Sequence, residues 1–175
     1  QVKQLHTIMK HYPNSLIERG KSFYIDRFIK LLQKLHYSEN KVQDLIDYGS
    51  EIWNCLALLP QGFCHGDLHS GNIFHTPSSA NVFIDFDVAS YSYHIIDIAT
   101  LCNTSDFNHF SEASFHITKD RIHLFMDSYQ KHSITSEEFH GIFAFIAARH
   151  YELIATITEC QGHASLSRSF LEIGR

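Results

Sequence analysis

The chain has 175 residues, with 14 Lys and Arg against 19 Asp and Glu, which gives a formal net charge of −5. Its 44% hydrophobic residues, 3 Pro and 8 Gly exclude a disordered, collagen-like or low-complexity protein, and the length suits one well-buried domain. The acidic balance argues against a nucleic-acid partner, and no apolar run reaches the roughly 18 residues that a membrane span requires. We therefore expect neither nucleic acid nor a membrane among its partners.

Three helices are predicted before residue 60. Apolar side chains spaced three and four residues apart indicate a short helix that ends before Pro13 and a second helix over residues 23–35. Ser38 is a suitable N-cap for a third helix, whose apolar positions recur at helical spacing up to Pro60.

The pattern changes after Pro60. Residues 62–72 are rich in glycine and polar groups, and two short runs typical of β-strands follow at 73–75 and 82–85. The segment between these runs is rich in turn-forming residues, which predicts a small hairpin. Because functional residues concentrate on loops that a rigid scaffold supports, we expect any chemistry to lie here.

The rest of the chain returns to helical patterns. A helix is predicted over 94–101, and Thr118 is a candidate cap for another that reaches about residue 131. Thr135 and Glu138 have the spacing of a capping box before a long helix over 136–160. The predicted fold class is therefore mainly α, a helical bundle with one small β-hairpin that carries the polar loops.

The four cysteines have no metal-binding spacing. They are separated too widely for a Cys-x-x-Cys pair, and a disulfide-rich secreted domain would be smaller and denser in cysteine. We interpret Cys55, Cys64, Cys102 and Cys160 as reduced thiols of a cytoplasmic protein.

A constellation of polar residues lies between 65 and 97. His65, Asp67 and Asn72 form the pattern H-x-D-x-x-x-x-N, a β-type run ends at Asp85, and Asp97 follows twelve residues later. Phosphoryl transfer requires a carboxylate that orients or deprotonates the attacking hydroxyl and oxygen ligands that hold Mg²⁺ on the nucleotide phosphates. An Asp and an Asn on one tight loop, joined by a second Asp at the end of a hairpin, can supply these groups.

At these residues the chain resembles the aminoglycoside phosphotransferase and choline kinase branch of the protein-kinase-like fold. That branch has the motif H-G-D-x-H-x-x-N, then I-D-F/W-E/D/G, then D-L-A or D-I-A. The corresponding segments here are 65–72, 84–87 and 97–99. Leu5-His6 also resembles the L-H of the helix that follows the nucleotide hinge in that family.

The resemblance implies roles for the two loops. Asp67 corresponds to the catalytic base, and Asn72 and Asp85 correspond to the residues that bind the Mg²⁺ of the ATP co-substrate. Asp87 is a further candidate for the metal or acceptor site. Because Val88 follows Asp87 where close relatives often have a second acidic residue, the class of acceptor stays open.

The resemblance also implies supporting and acceptor-side residues. His65, His69 and Asp97 are expected to support the catalytic loop. Arg149 and Glu152 lie on the long helix that lines the acceptor pocket in relatives, and the alternative interpretation of both is an exposed polar helix face.

The motifs present are those of one lobe of such an enzyme. We expect residues 1–175 to be a single domain, the C-terminal catalytic and acceptor-binding lobe, with the N-terminal ATP-clamping lobe absent from this chain. The full-length protein is then expected to be a kinase that phosphorylates an alcohol group, and the chain alone is expected to have little or no activity.

Two other interpretations of the same residues remain open. A kinase-like domain can keep this fold for binding without catalysis. The pattern H-x-D-x-H also presents alternating metal ligands, as in metal-dependent phosphohydrolases, although the additional loops of those enzymes are missing from the sequence. The acceptor itself, whether an aminoglycoside, choline, homoserine or another hydroxyl compound, is not encoded in any motif.

Overall fold

The computed structural model describes residues 1–12, 15–77, 80–105, 111–129 and 135–162 of the chain. Within these residues the secondary structure consists of six α-helices, one π-helical segment, one short 3₁₀ turn and four short β-strands. The prediction of a mainly α fold with a small hairpin is therefore confirmed.

The N-terminal part forms three helices, as predicted. Helix α1 spans Val2–Met9, α2 spans Arg27–Lys34 and α3 spans Glu39–Asn54. The segment predicted as one helix over 23–35 begins instead with a π-helical turn, Ser22–Asp26, before α2 continues it. A π-turn cannot be distinguished from an α-helix by apolar spacing over five residues, because the two periods differ too little over that length.

Helix α3 ends six residues before the predicted limit at Pro60. The chain after Asn54 tightens into successive turns, in which the Leu56 amide donates to the Trp53 carbonyl over 3.0 Å and the Leu59 amide donates to the Leu56 carbonyl over 2.9 Å. Leu56 and Leu59 stay buried in these turns. The apolar pattern therefore continued beyond the helix that it predicted.

Two antiparallel strand pairs follow the third helix. Strand β2, Ile73–His75, pairs with β3, Asn81–Phe83, in the predicted hairpin. The second pair was not predicted: β1, Gln61–Cys64, pairs with β4, Ser90–Tyr93. Both of its strands have only four residues and contain glycine or serine, so neither shows the apolar run that indicates a strand.

Three helices follow β4 in the part of the chain that the structure describes. Helix α4 spans Ile95–Cys102, α5 spans Glu112–Tyr129 and α6 spans Ser136–Gln161. The predicted end of α5 near residue 131 lies outside the described residues. No helix in the described ranges is long and apolar enough to cross a bilayer.

The prediction that Thr118 caps α5 was wrong. Thr118 is buried inside the helix, where its hydroxyl accepts from the Thr104 amide over 3.1 Å and pairs with the Thr104 hydroxyl over 2.9 Å. At the true start of the helix, the Ser111 hydroxyl accepts from the Ser114 amide over 3.1 Å. Thr118 had the chemistry of a cap, but its hydroxyl anchors the loop that follows α4.

The capping box of α6 is confirmed. The Thr135 hydroxyl accepts from the Glu138 amide, and the Glu138 carboxylate accepts from the Thr135 amide, both over 3.1 Å. These bonds satisfy amide donors that have no partner within the first turn of a helix.

The hydrophobic core surrounds α6, which packs against α2, α3, α4 and the π-helical segment. Burial of each large apolar side chain contributes about 1.5–3 kcal/mol, so a cluster of this size fixes the relative positions of these helices. Among its members are Tyr24, Phe28, Leu32, Ile96, Ile122 and Phe145.

Candidate active site

The loop after β1 begins with a glycine in a conformation that other residues rarely adopt. Gly66 has φ of +85°, and a Cβ atom at this position would lie 2.5 Å from the carbonyl oxygen of Val88. The chain therefore approaches the segment after Asp87 closely enough that only glycine fits. This close approach brings the loop at Asp67 next to the loop at Asp85.

The Asp97 side chain holds the backbone at the start of this loop. Its carboxylate is fully buried in the first turn of α4 and accepts from the His65 amide at Oδ2 and from the Gly66 amide at Oδ1, each over 2.9 Å. Hydrogen bonds to an ionised carboxylate are shorter and stronger than neutral ones, so this contact orients the start of the loop firmly.

His6 completes the surroundings of Asp97. Its Nε2 atom lies 2.8 Å from Asp97 Oδ2, and its Nδ1 atom lies 2.6 Å from the hydroxyl of Tyr129. The tyrosine hydroxyl can donate to Nδ1 while Nε2–H donates to the carboxylate, which gives all three groups a hydrogen-bond partner. The resemblance to an L-H motif singled out His6, but sequence reasoning did not identify Asp97 or Tyr129 as its partners.

Burial shifts two pKa values beside this network. Burial and the neighbouring Asp97 charge raise the pKa of Tyr129 to about 12, so the phenol stays protonated. Burial also lowers the pKa of His94, whose ring stacks on His6 with centroids 4.4 Å apart, to about 4. These shifts keep both Tyr129 and His94 neutral at pH 7.

Two hydrogen bonds join the catalytic-loop and metal-loop candidates, and a third lies within the catalytic loop itself. The Asn72 side-chain amide donates to the Asp67 carbonyl over 2.9 Å, and the Ile84 amide donates to the Asn72 carbonyl over 3.1 Å. The His65 Nε2 atom donates to the Ile84 carbonyl over 2.9 Å. The two loops therefore form one interlocked unit, with Asp85 next in sequence to one of its members.

The oxygen donors at this unit fit a magnesium ion that nucleotide phosphates help to coordinate. Asn72 Nδ2 faces the Asp67 carbonyl, so its Oδ1 atom lies on the other side of the amide group. Asp85 is exposed and adopts a left-handed conformation with φ of +62°, a strained geometry that is common at functional turns. Mg²⁺ typically takes one or two protein ligands of this kind together with substrate phosphates. Asp87, two residues later, is also exposed.

The carboxylate of Asp67 lies between a cation and an imidazole. Arg149 Nη2 donates to Asp67 Oδ1 over 2.8 Å, and His69 Nε2 lies 3.6 Å from Oδ2. The Gly71 amide donates to His69 Nδ1 over 3.0 Å, so a neutral His69 carries its proton on the nitrogen that faces Asp67.

Glu152 lies on the other side of Arg149. Its side chain is 7% exposed, and its Oε2 atom accepts from Arg149 Nη1. The Thr156 hydroxyl donates to Glu152 Oε1 over 2.9 Å. Arg149 and Glu152 are therefore an ion pair directed inward to Asp67, and the alternative interpretation of both as an exposed helix face was wrong.

A cavity of about 340 Å³ adjoins Asp67. Arg149 lines this cavity, whereas Glu152 does not, so only one of the two predicted acceptor-side residues reaches it directly. The other lining groups are His69 of the catalytic loop, polar side chains from α4 and the loop after it, and apolar side chains from α6; the last two sets include Thr100, Asn103, Phe145 and Leu153.

Within the described residues, the H-x-D-x-H pattern forms no cluster of side chains placed to bind a metal ion. Of the residues that the structure describes, no three His, Cys, Asp or Glu side chains are close enough together to bind a metal ion by themselves. His65 Nε2 donates to the Ile84 carbonyl and His69 Nδ1 accepts from the Gly71 amide, so of these two imidazoles only that of His69 faces the Asp67 carboxylate, through Nε2.

All four cysteines are free thiols, as predicted. Cys64, immediately before the candidate catalytic loop, is fully buried, and its thiol donates to the Tyr93 carbonyl over 3.2 Å. Burial and the nearby Asp97 raise the pKa of the Cys64 thiol, which keeps the sulfur protonated and unreactive.

The helical lobe, with its hairpin between the Asp67–Asn72 loop and the turn at Asp85, has a kinase-like fold. A solved structure described as "Amicoumacin kinase hAmiN in complex with AMP-PNP, Ca2+ and Ami" shares this fold with a TM-score of 0.67. The match covers 98% of this chain and 53% of that chain, at 19% sequence identity.

The sequence itself identifies the family. A family model described as "Phosphotransferase enzyme family" matches residues 2–129, and the chain belongs to that family. A protein of Dictyostelium discoideum described as "Probable ethanolamine kinase A" is 36% identical over 80 residues, which are 44% of this chain and 21% of that protein. The chain thus matches about half the length of the solved kinase and a smaller share of the curated relative. The family match ends before α6, so it includes neither Arg149 nor Glu152.

Proposed function

We propose that the full-length protein transfers the γ-phosphoryl group of ATP to a hydroxyl group of a small molecule. Membership of the phosphotransferase family supports this reaction class, as do the names of an ethanolamine kinase and an amicoumacin kinase among the similar proteins. The proposal does not name a particular acceptor, because the two similar proteins are named for different acceptors.

The interlocked loops are the observation that carries this proposal. The Asn72 side chain binds the Asp67 carbonyl, and the pairing of Asn72 with Ile84 brings the turn at Asp85 to the same place. A base and two oxygen ligands for a metal–nucleotide complex are the groups that phosphoryl transfer demands, because this reaction is catalysed chiefly by positioning and by charge stabilisation.

Each loop residue has a role in this proposal. Asp67 accepts the proton of the acceptor hydroxyl, and Asn72 and Asp85 bind Mg²⁺, with Asp87 as a further ligand or acceptor contact. The bound ion would neutralise charge on the nucleotide phosphates. The donor chemistry of these side chains and the exposure of Asp85 support the assignment.

Supporting roles go to His65, His69 and Asp97. Asp97 binds the loop backbone, His65 connects the loop to Ile84, and His69 presents its Nε2–H to Asp67. On the acceptor side, the cavity beside Asp67 has room for a small alcohol, and Arg149 is the predicted residue that lines it.

This chain would be the C-terminal lobe of the enzyme. Its match to 53% of the solved kinase chain, at 98% coverage of its own length, supports its assignment to one part of a longer enzyme. We expect the 175-residue chain by itself to turn over ATP slowly or not at all, because the lobe that clamps the nucleotide in such kinases contributes to positioning the phosphates.

The test is an ATP-consumption screen of the full-length protein against amino alcohols, aminoglycosides, sugars and nucleosides. We expect at least one acceptor to stimulate ATP consumption, and EDTA to abolish that stimulation until excess Mg²⁺ is added back. Acceptor-dependent turnover that persists in EDTA would contradict the assigned metal ligands, and the absence of any stimulated turnover would contradict the function.

A further inference from the structure

A continuous series of hydrogen bonds leads from Arg27 on α2 to the carboxylate of Asp67, and the donor direction reverses at Glu152, which accepts from both of its neighbours. Arg27 Nη2 donates to the Thr156 hydroxyl, and that hydroxyl donates to Glu152 Oε1. Glu152 Oε2 accepts from Arg149 Nη1, whose other terminal nitrogen donates to Asp67. Every link is a charged or hydroxyl group, and Arg149 joins Asp67 across 82 positions of sequence.

Glu152 is almost completely buried, so solvent does little to stabilise its charge. At 7% exposure of the side chain, an ionised carboxylate loses most of its hydration, a cost that is recovered only when each oxygen is paired. Both oxygens are paired here, one by Arg149 and one by Thr156. The buried carboxylate therefore serves to fix the guanidinium of Arg149 in one orientation.

The orientation that results presents Arg149 to the reaction site. Its side chain is 18% exposed and lines the cavity next to Asp67. A fixed cation next to a group that accepts a proton, at the edge of a cavity of about 340 Å³, has the geometry of preorganised electrostatic stabilisation.

We propose that Arg149 is a catalytic residue that stabilises the charge of the phosphoryl group in transit, and that Glu152, Thr156 and Arg27 are its positioning residues. This inference rests on the proposed function. The acceptor oxygen forms a bond to the γ-phosphorus while the bond from that phosphorus to the β–γ bridging oxygen breaks. The electron pair of the broken bond leaves with ADP, and the hydroxyl proton passes to Asp67.

The reason for a cation here is electrostatic. The phosphoryl oxygens approach the ionised Asp67 during the transfer, and two groups of negative charge repel each other at short range in a poorly hydrated site. Arg149 already contacts Asp67 Oδ1, so it needs only a small side-chain movement to contact a phosphoryl oxygen beside that carboxylate. The planar guanidinium of Arg149 has several N–H donors, so it can bind an oxygen of Asp67 and an oxygen of the phosphoryl group at the same time.

The test compares four variants of the full-length protein in steady-state kinetics. We expect Arg149→Gln to lower kcat by about 100-fold, as loss of one transition-state donor does, without changing KM for ATP or acceptor. Arg149→Lys should recover part of kcat, because lysine keeps the positive charge. It should not recover all of it, because lysine lacks the planar guanidinium with its paired donors. Glu152→Gln should lower kcat by roughly tenfold through misplacement of Arg149. Arg121→Gln, the same substitution at an exposed position of α5, should match the wild type.

A binding measurement separates this role from a structural one. The complex of Mg·ADP with fluoroaluminate mimics the phosphoryl group in transit, so Arg149→Gln should weaken its binding while the affinity for Mg·ADP alone stays at the wild-type value. Wild-type kcat in Arg149→Gln would overturn the inference and leave the proposed function intact. A raised acceptor KM with unchanged kcat would also overturn it, because Arg149 would then bind the acceptor.

Failure of the proposed function has a different signature. A wild-type protein that phosphorylates no hydroxyl compound and does not bind the fluoroaluminate complex would overturn both the function and the role of Arg149. Equal weakening of Mg·ADP and fluoroaluminate binding in Arg149→Gln would overturn the inference alone, because it indicates a general loss of site structure.

Discussion

Asp97 is fully buried, and three donors surround its carboxylate: the His65 amide, the Gly66 amide and the His6 imidazole. A buried charge is tolerated only when its hydrogen-bonding capacity is met, and here two of the three partners are the backbone of the candidate catalytic loop. The consequence is that a residue outside the cavity determines the position of Asp67.

Asp97→Asn is expected to loosen the loop. The change removes the charge and presents an NH₂ group to donors, and hydrogen bonds to a charged group are worth about 1.5–3 kcal/mol each. We expect faster hydrogen exchange at the His65 and Gly66 amides of the full-length protein, measured by mass spectrometry. Asp120→Asn, at an exposed position of α5, is the matched control and should keep wild-type exchange. Unchanged protection in Asp97→Asn would show that the carboxylate does not hold the loop.

His94 predicts a loss of stability in mild acid. Its pKa is lowered to about 4 because of burial and the stacked His6, although Asp97 opposes the shift. An unfolded chain, with a histidine pKa of about 6.5, binds a proton that the folded chain excludes between the two pKa values. The contribution of His94 to the free energy of unfolding is therefore fully present above pH 6.5 and is lost as the pH falls toward 4.

The measurement is the free energy of unfolding between pH 7 and pH 5. We expect it to fall less steeply in His94→Gln, which cannot titrate, than in the wild type. The NMR signals of the His94 ring should titrate near pH 4. Equal slopes for the two proteins, together with a ring that titrates near pH 6.5, would contradict the shift.

At the scale of the element, α6 carries more of the site than its polar pattern indicates. Its N-terminus was predicted correctly because a capping box is a local signal, encoded in Thr135 and Glu138. The contact of Arg149 with Asp67 was not predictable in the same way, because it depends on how α6 packs across the loop after β1. The residues at the start of α6 therefore predicted where the helix begins, but they did not predict which residues Arg149 contacts.

Removal of the cap should destabilise α6 by a definite amount. Thr135→Val loses the hydroxyl that accepts from the Glu138 amide, a change that typically costs about 1 kcal/mol. We expect a lower denaturant midpoint for Thr135→Val and a midpoint near the wild type for Thr135→Ser, which keeps an oxygen acceptor. If both variants behaved alike, the hydroxyl would not be the stabilising group.

The strands show why short elements escape a sequence-based prediction. The hairpin of β2 and β3 was predicted from its turn and apolar residues, whereas the pairing of β1 with β4 was not. That second pair brings Cys64 opposite Ser90, and so it places the loop at His65 near the segment that leads to Asp97. Such a non-local pairing of four-residue strands leaves no periodic signal.

At the scale of the whole molecule, the sequence predicted the chemistry-bearing loops better than their surroundings. Asp67, Asn72 and Asp85 were selected by spacing and resemblance, and the structure interlocks their loops by hydrogen bonds. Thr118 was assigned wrongly because a buried hydroxyl and a capping hydroxyl have the same local pattern. Contacts that depend on tertiary packing, such as the pairing of His6 with Tyr129, had no linear signature.

The proposed function depends most on the role of Asp67 as the base of a phosphoryl transfer. The direct measurement is the rate at which the full-length protein phosphorylates its acceptor, compared between wild type, Asp67→Asn and the exposed control Asp120→Asn. We predict a loss of about 10²- to 10⁴-fold in kcat for Asp67→Asn, the contribution of general-base catalysis, with folding and Mg·ATP binding retained. The control should keep the wild-type rate. Wild-type turnover in Asp67→Asn would contradict the account.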